Sequence, residues 1–211
     1  MVIAEPFNVE ISGFLGAVKA SGYPMQTEVE AWKNEEPIEK HLLRANKLGN
    51  TAIGSGHDNF LNGIVVSFDI ALPVKVWTEM QRYHFLDIVS SMSSMHRLAN
   101  MNLDNCFDSN VDERVIEILK QLQCEYKEAQ EKANQTHDKN DVAKAKQAYL
   151  KLLLTCPTGL ILTARVVTNY RQLKTIYAQR KNHRLPHWQI FCDWVSELPY
   201  AKTFGIVSVE K

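Results

Sequence analysis

The residues best suited to chemistry lie in a long basic segment near the C-terminal end of the sequence. Between Asp141 and Asp193 there is no acidic residue, whereas lysine and arginine together contribute nine positive charges. From Arg165 onward arginine outnumbers lysine, and its planar guanidinium suits bidentate recognition of phosphate or carboxylate groups. The pattern predicts an anion-binding surface. A solvated basic helix face is the alternative interpretation.

One stripe of this segment has helical spacing. Leu173, Ile176 and Arg180 follow Asn169 at offsets of four, seven and eleven residues, which places all four on one face of a helix. Asparagine is a favoured N-cap, so the helix is expected to begin after Asn169. The sequence alone leaves open whether Asn169 is only a cap or also a ligand contact.

A serine-dense segment precedes a second basic pair. Ser90, Ser91, Ser93 and Ser94 alternate with apolar residues before His96 and Arg97. Serine hydroxyls compete with helical backbone hydrogen bonds, so this segment is better interpreted as ligand-contacting than as core.

Known catalytic motifs are mostly missing. The pair Gly54 and Gly56 lacks the third glycine of a dinucleotide fingerprint, and there is neither a phosphate-binding P-loop nor a GxSxG elbow. His183 and His187 have metal-ligand spacing, but Pro186 lies between them and no acidic residue is near, so no metal site is expected. Any reaction would therefore use a bound cofactor.

The helices and strands that must position these residues are predicted from hydrophobic periodicity and from the prolines and glycines that interrupt it. Residues 112–132 and 141–154 read as two helices joined by a short turn, which predicts an antiparallel hairpin. We also expect an irregular or strand-like segment at 7–24 and strands at 60–72 and 160–168. Further helices are expected at 37–48, from Pro73 onward and at 186–198. The helix at 37–48 is expected to bury Ile38, Leu42, Leu43 and Ala45. The fold class is α+β, a mixed sheet packed with helices plus the long hairpin.

Length and composition narrow the classes of protein. The 211 residues carry no net charge and 45% hydrophobic residues, which excludes collagen-like and disordered chains and gives no support for nucleic-acid or membrane partners. No apolar run approaches the roughly 20 residues of a membrane span, and two acids in the first ten residues argue against a signal peptide. We expect one cytoplasmic domain over 1–211. Its four dispersed cysteines are expected to be reduced and mostly structural.

Three segments of the sequence resemble the flavin-dependent thymidylate synthases. His57-Asp58-Asn59-Phe60 is similar to a His-Glu-x-Phe-Glu-His segment of that family, and Arg82-Tyr83-His84-Phe85 with the serine-dense segment is similar to its RHRxxSxNExSxRY signature. Pro157, then Thr168 to Leu173, then Arg180 matches a proline, a TxNxRSL segment and an arginine at family-like spacing. The resemblance covers roughly residues 13–198, and its C-terminal part is the most specific.

The resemblance implies FAD as cofactor, NADPH and methylenetetrahydrofolate as co-substrates, dUMP as substrate and a homotetramer with flavin sites between subunits. Arg180 would be the catalytic residue that anchors the pyrimidine and makes its carbon 5 reactive. Asn59 would be contributed across a subunit boundary. The implied cofactor contacts are His57, Asn59, Arg82, Tyr83, His84, Phe85, Asn169, Arg171 and Thr175. The implied substrate contacts are Glu79, Ser91, Ser93, Arg97, Lys151 and Arg180.

The chain departs from the family's pattern in three places, two in the signature and one before Pro157. Ser90 stands where the family has glutamate, and the final Arg-Tyr becomes either Ser94-Met95 or, after a short insertion, His96-Arg97. Leu153 occupies the position of a substrate-binding arginine, with Lys151 as the candidate substitute, although lysine lacks the bidentate fork. Methylation of dUMP is the first hypothesis. The alternatives are modification of carbon 5 in another pyrimidine nucleotide, such as hydroxymethylation, and a nucleotide-binding protein that has lost flavin.

Overall fold

The computed structural model describes residues 4–30 and 36–207. Within them a single four-stranded sheet is formed by β1 (Phe7–Ser12), β2 (Val65–Pro73), β3 (Asp87–Ser91) and β4 (Ile161–Asn169), in the order β1-β2-β4-β3. Strand β1 pairs antiparallel with β2, with Glu10 opposite Ser67 and Ser12 opposite Val65. Alternate residues of β4 are buried, so the strand presents one face to the core.

Eight α-helices complete the described part of the chain. They are α1 (Phe14–Ala20), α2 (Ile38–Gly49), α3 (Val74–Met80), α4 (Ser94–Arg97), α5 (Glu113–Thr136), α6 (Lys139–Thr155), α7 (Tyr170–Arg180) and α8 (Pro186–Glu197). Short 3-10 helices occupy Tyr23–Met25, Asn59–Gly63 and Leu98–Asn100. The predicted α+β class, with helices around a sheet, is confirmed.

The chain divides into two compact units. The first contains Ala71–Thr78 and Ser91–Ala164, and the second contains the described residues of Ile3–Ile70, Glu79–Ser90 and Arg165–Lys211. The core of the first unit is a cluster of buried apolar side chains. Most of them are leucines, including Leu98, Leu119, Leu152 and Leu160. The core of the second contains fully buried Phe68, Trp188 and Phe204.

The predicted hairpin is present in the first unit as α5 and α6. The Asp112 side chain accepts a hydrogen bond from the Arg114 amide at α5, and the Asp138 side chain accepts one from the Asn140 amide at α6. His137, with φ of 52°, closes α5 in the left-handed conformation. Capping residues and one left-handed position therefore make the sharp reversal that the turn-rich sequence predicted.

Three expectations about the elements were wrong in detail. Residues 59–63 form a 3-10 helix, so the strand begins only at Val65. Pro73 ends β2, and the following helix begins at Val74. Residues 7–24 include a strand, β1, as expected, but they also contain the helix α1, which Gly13 before it and Gly16 within it had concealed.

The buried side of α2 was also predicted incorrectly at two positions. Ile38 and Leu43 are exposed, whereas His41, Ala45 and Gly49 are buried. These three lie four residues apart along one face, and Gly49 packs so closely on the Phe204 carbonyl that a Cβ would lie 2.5 Å from its oxygen. The helix turns its smallest residues inward. In the described residues no helix is long and apolar enough to cross a membrane.

Candidate functional site

Arg180, the last residue of α7, is held from three sides in the second unit. Its Nε donates to the Tyr83 hydroxyl at 2.7 Å, and its Nη1 donates to Glu79 Oε2 at 3.0 Å. Its guanidinium carbon lies 4.7 Å from the centroid of the Trp188 ring, within cation–π range. The Nη2 atom has no hydrogen-bond partner among the described residues. Arg180 therefore presents one oriented donor that its neighbours do not use.

Glu79 is the acceptor on which this cluster converges. Its Oε2 also accepts from Trp188 Nε1 at 3.0 Å and lies 3.5 Å from His183 Nε2. The Tyr83 hydroxyl, which accepts from Arg180, donates to Gln179 Oε1 at 3.1 Å. The side chains of Glu79 and Arg180 are 13% and 15% exposed, so their ion pair is largely desolvated.

A second charge cluster joins α7 to the segment around His57. Asp58 is buried, and its Oδ1 accepts from Arg171 Nε at 3.1 Å while its Oδ2 accepts from Lys174 Nζ at 3.0 Å. Asn169 caps α7 by accepting from the Gln172 amide at 2.9 Å, and the Thr175 hydroxyl donates to the Arg171 carbonyl at 3.3 Å. The helix start is therefore fixed by its own cap and by a buried carboxylate from another segment.

A third contact links the arginine-containing segment 82–85 to the end of β4. The Thr168 hydroxyl donates to the Phe85 carbonyl at 2.7 Å. Tyr83 is buried, whereas Arg82, His84 and Phe85 are exposed. Residues 57–60, 82–85 and 168–180 of the resembling segments are thus in contact in the second unit, whereas residues 91–97 and Pro157 belong to the first unit. Asp58 contacts Arg171, Phe85 contacts Thr168, and Tyr83 contacts Arg180.

A cavity of about 620 Å³ opens next to the first of these contacts. His57 and Asn59, the neighbours of Asp58, line it together with basic and apolar side chains that include Arg44, Lys47, Leu48 and Phe60. Arg44 is engaged by Glu36, Ser21 and His41. The side chains of Lys47 and His57 make no hydrogen bond among the described residues. The cavity therefore combines an apolar wall with two uncommitted donors.

The other predicted substrate contacts lie in the first unit. Ser91 ends β3 and is exposed, Ser93 caps α4 by accepting from the His96 amide, and Arg97 is an exposed residue at the end of α4. Lys151 donates to Glu125 of α5 at 3.2 Å on the hairpin surface. Tyr149 of α6 donates its hydroxyl to the Met95 carbonyl, so the serine-dense segment lies beside α6. The serine-dense segment is indeed on the surface rather than in the core.

The basic segment is less available to ligands than its composition suggested. Arg165 lies 3.0 Å from Glu10 and 3.4 Å from Asp69, Lys174 binds Asp58, and Arg180 binds Glu79. The acidic partners lie in other parts of the chain. The composition of the basic segment alone could therefore not show that these cations are paired. Most of the segment's central positive charges are therefore paired.

Sequence reasoning assigned no role to three residues that organise these clusters: Asp58, Lys174 and Trp188. Trp188 is fully buried and receives Arg180 on its ring face, and Lys174 is a buried cation. Lys174 lies roughly 120° around the helix from the stripe that contains Leu173 and Ile176, so helical spacing did not indicate that it is buried. Charged residues are rarely buried unless they are paired.

The cysteines show no sign of a reactive site. All four are free, and burial raises the pKa of Cys156 to about 11 and that of Cys192 to about 12. Burial also raises the pKa of the Cys106 thiol, and a hydrogen bond to Glu128 raises that of Cys124. Thiols with raised pKa values are poor nucleophiles near neutral pH. Among the described residues, no group of three or more His, Cys, Asp or Glu side chains could hold a metal ion.

Comparisons with known proteins give a match at the level of structure and not of sequence. No protein-family model matches the chain, and no curated protein is significantly similar to it in sequence. The flavin-dependent thymidylate synthase ThyX from Helicobacter pylori, solved with FAD and dUMP, superposes with a TM-score of 0.60 at 17% identity over 95% of this chain and 98% of that chain. A second structure of ThyX from Helicobacter pylori with FAD and dUMP gives 0.58 at 17% identity over 98% and 97%.

A UMP/dUMP methylase, PolB from Streptomyces cacaoi, solved with 5-Br dUMP, is similar with a TM-score of 0.58 at 12% identity. The similarity covers 96% of this chain and 92% of that chain. All three similarities extend over nearly the whole chain. The chain has the fold of the flavin-dependent thymidylate synthases.

Proposed function

We propose that this chain is a flavin-dependent enzyme that binds a uracil nucleotide and methylates carbon 5 of its base, converting dUMP to dTMP. The observation that carries the proposal is the meeting of the three resembling segments through Asp58–Arg171, Phe85–Thr168 and Tyr83–Arg180. Segments that are far apart in the sequence are thereby brought into contact, as a shared binding site requires. The fold shared with two FAD- and dUMP-bound thymidylate synthases supports the same conclusion.

The residues present fit a flavin nucleotide. The cavity beside His57 and Asn59 has a volume of about 620 Å³, within the range of roughly 300–1,000 Å³ typical of cofactor and ligand sites. Leu48 and Phe60 offer an apolar wall to a planar ring, and Lys47 and His57 offer donors to anionic groups. Arg171 is not among the residues that line the cavity, but it contacts Asp58, between His57 and Asn59, and its side chain is 32% exposed. FAD, when bound, would supply the hydride transfer, with methylenetetrahydrofolate as the carbon donor and NADPH as the reductant.

The protein's own part in the reaction is to bind and polarise the pyrimidine. Arg180 Nη2 is the donor available for a uracil carbonyl, where negative charge develops as carbon 5 becomes nucleophilic. Glu79, Tyr83 and Trp188 fix the guanidinium before substrate arrives, so little reorganisation is needed. Ser91, Ser93, Arg97 and Lys151 remain proposed contacts for the nucleotide sugar and phosphate.

A second candidate is the methylation of UMP or of another pyrimidine nucleotide at carbon 5. The fold shared with a UMP/dUMP methylase and the altered serine-dense signature favour it. We propose the same homotetramer for either reaction, with Asn59 contributed to a neighbouring subunit's flavin site.

Product analysis tests the proposal directly. Purified protein is incubated with FAD, NADPH and methylenetetrahydrofolate, and with dUMP, UMP or dCMP in separate reactions, and the products are analysed by mass spectrometry. A methyl group gained by dUMP supports the thymidylate synthase reaction, and one gained by UMP supports the second candidate. A hydroxymethyl product would indicate a different one-carbon transfer. Unmodified nucleotides in all three reactions would contradict the proposed function.

A further inference from the structure

The buried charge cluster around Asp58 contains one more positive charge than negative. The Asp58 carboxylate is 2% exposed and lies between two cations, Lys174 Nζ at 3.0 Å and Arg171 Nε at 3.1 Å. The formal charge of the three side chains is therefore +1. The location of the excess positive charge depends on which hydrogen bonds each cation makes.

Lys174 is fully committed inside the protein. Its ammonium donates to the Gly49 carbonyl at 2.7 Å, to the Thr51 carbonyl at 2.8 Å and to Asp58 at 3.0 Å. An ammonium group has three N–H donors, so these contacts use all of them. The side chain is 7% exposed. Lys174 therefore has no donor left for a ligand, and within residues 4–30 and 36–207 the Asp58 carboxylate is its only charged partner.

Arg171 is used only in part. Its Nε binds Asp58, while Nη1 and Nη2 have no hydrogen-bond partner among the described residues, and its side chain is 32% exposed. The guanidinium is thus oriented by the carboxylate at its inner edge and open at its outer edge. Because Lys174 already balances Asp58, the net positive charge of the cluster resides at the outer edge of Arg171.

We propose that Lys174 is a positioning residue that balances the charge of Asp58 so that Arg171 keeps its own charge for a phosphate group of the bound nucleotide. Without Lys174, Asp58 would still orient Arg171 but would cancel its charge, and the attraction to an anion would fall. This inference rests on the proposed function, because it takes the flavin dinucleotide as the anionic ligand. It predicts that a buried lysine, although it does not contact the ligand, raises the protein's affinity for that ligand.

The test is the dissociation constant of FAD, measured by titration of flavin absorbance at low ionic strength. Lys174→Met removes the charge, and Lys174→Gln removes it while keeping a hydrogen-bond donor for the two carbonyls. Both are expected to bind FAD roughly tenfold more weakly, as for loss of a unit charge near a partly screened anion. The matched control is Lys40→Met on the exposed face of α2, which should bind FAD as the wild type does.

The double variant Asp58→Asn/Lys174→Met separates charge compensation from a merely structural role. Asparagine keeps an acceptor for Arg171 Nε but removes the negative charge, so the net charge at Arg171 returns to +1 and FAD affinity should recover to near the wild-type value. If Lys174→Met does not fold, Lys174→Gln and Asp58→Asn/Lys174→Gln make the same comparison, because glutamine can still donate to the Gly49 and Thr51 carbonyls.

The outcomes are distinct. Wild-type affinity in both single variants would overturn the inference, and so would a double variant that folds but binds FAD as weakly as the single ones. A wild-type protein that does not bind FAD at all would instead overturn the proposed function, and this inference with it.

Discussion

Glu79 and Arg180 form an ion pair in which Oε2 and Nη1 are 3.0 Å apart and both side chains are largely buried. Arg180 is the last residue of α7, where a side chain would ordinarily be free to move, yet Glu79, Tyr83 and the Trp188 ring hold it in place. The arginine proposed to polarise the pyrimidine is therefore preorganised by the protein. The same contacts make it part of the fold, which affects how its function can be tested.

Replacing Arg180 with lysine tests its role without leaving Glu79 unpaired. Lysine keeps the positive charge but cannot supply the oriented Nη2 donor, so turnover of the uracil nucleotide should fall by roughly 100-fold or more, as when one donor to a developing charge is lost. FAD affinity should be unchanged. Steady-state kinetics and a flavin titration on the same preparation check both statements, and turnover close to the wild-type rate would remove Arg180 from the mechanism.

Glu79 should stabilise the fold as well as orient Arg180. Glu79→Gln removes the negative charge that Arg180 and Trp188 share, and we expect the free energy of unfolding to fall by about 3 kcal/mol, as for a broken buried ion pair. Glu117→Gln is the matched control, because Glu117 pairs with Lys120 on the surface with 65% of its side chain exposed. That change should cost less than about 0.5 kcal/mol. Urea denaturation measures the free energy of unfolding of both variants. Equal losses of free energy in the two variants would contradict the burial of the Glu79–Arg180 ion pair.

Two glycines near the start of α1 should respond to alanine in opposite directions. Gly13 has a φ of 78°, and an added Cβ would collide with the Gly63 carbonyl, so Gly13→Ala should destabilise the protein. Gly16 lies within α1 with open space around it, so Gly16→Ala should stabilise the protein by up to about 1 kcal/mol. Thermal unfolding measures whether each change raises or lowers the melting temperature. A higher melting temperature for Gly13→Ala would contradict the close contact between Gly13 and the Gly63 carbonyl at the start of α1.

Cysteine alkylation should follow exposure and thiol pKa. Cys192 is buried and its pKa is raised to about 12, so iodoacetamide at pH 8 should leave it unmodified in the folded protein. Cys124 is exposed and should react first, although slowly, because its pKa is also raised and little thiolate is present. A higher pH should accelerate the Cys124 reaction. Peptide mass mapping with and without urea measures this, and modification of folded Cys192 would contradict its burial.

Much of the fold could be predicted because its signals are local. The hairpin helices followed from apolar residues at helical spacing, and the start of α7 followed from Asn169 as a cap, which does accept from the Gln172 amide. Helix α1 was missed because its two glycines resemble turn signals, and its stability comes from packing that the local sequence does not encode. The exposure of Leu43 was missed for a similar reason, since a leucine on the wrong face of α2 has the same sequence signal as a buried one.

The candidate site could be predicted only in part. The acid-free, arginine-rich composition predicted an anion-binding surface, and the spacing from Asn169 to Arg180 predicted a helix. Pairing partners such as Asp58 and Glu79, however, lie roughly 100 residues away along the chain. No local pattern distinguishes a free arginine from one paired with a distant acid. The structure was therefore needed to show that Arg165 and Lys174 are committed, while Arg171 and Arg180 retain unused donors.

The proposed function requires the chain to bind flavin next to a uracil nucleotide. The most direct measurement is the absorbance spectrum of the purified protein with added FAD, followed by a titration with dUMP or UMP. The account predicts a protein-bound flavin band that shifts as either nucleotide binds, with the shift abolished by Arg180→Lys. A protein that retains no flavin after FAD is added and the free cofactor is removed would contradict the account and leave only a shared fold.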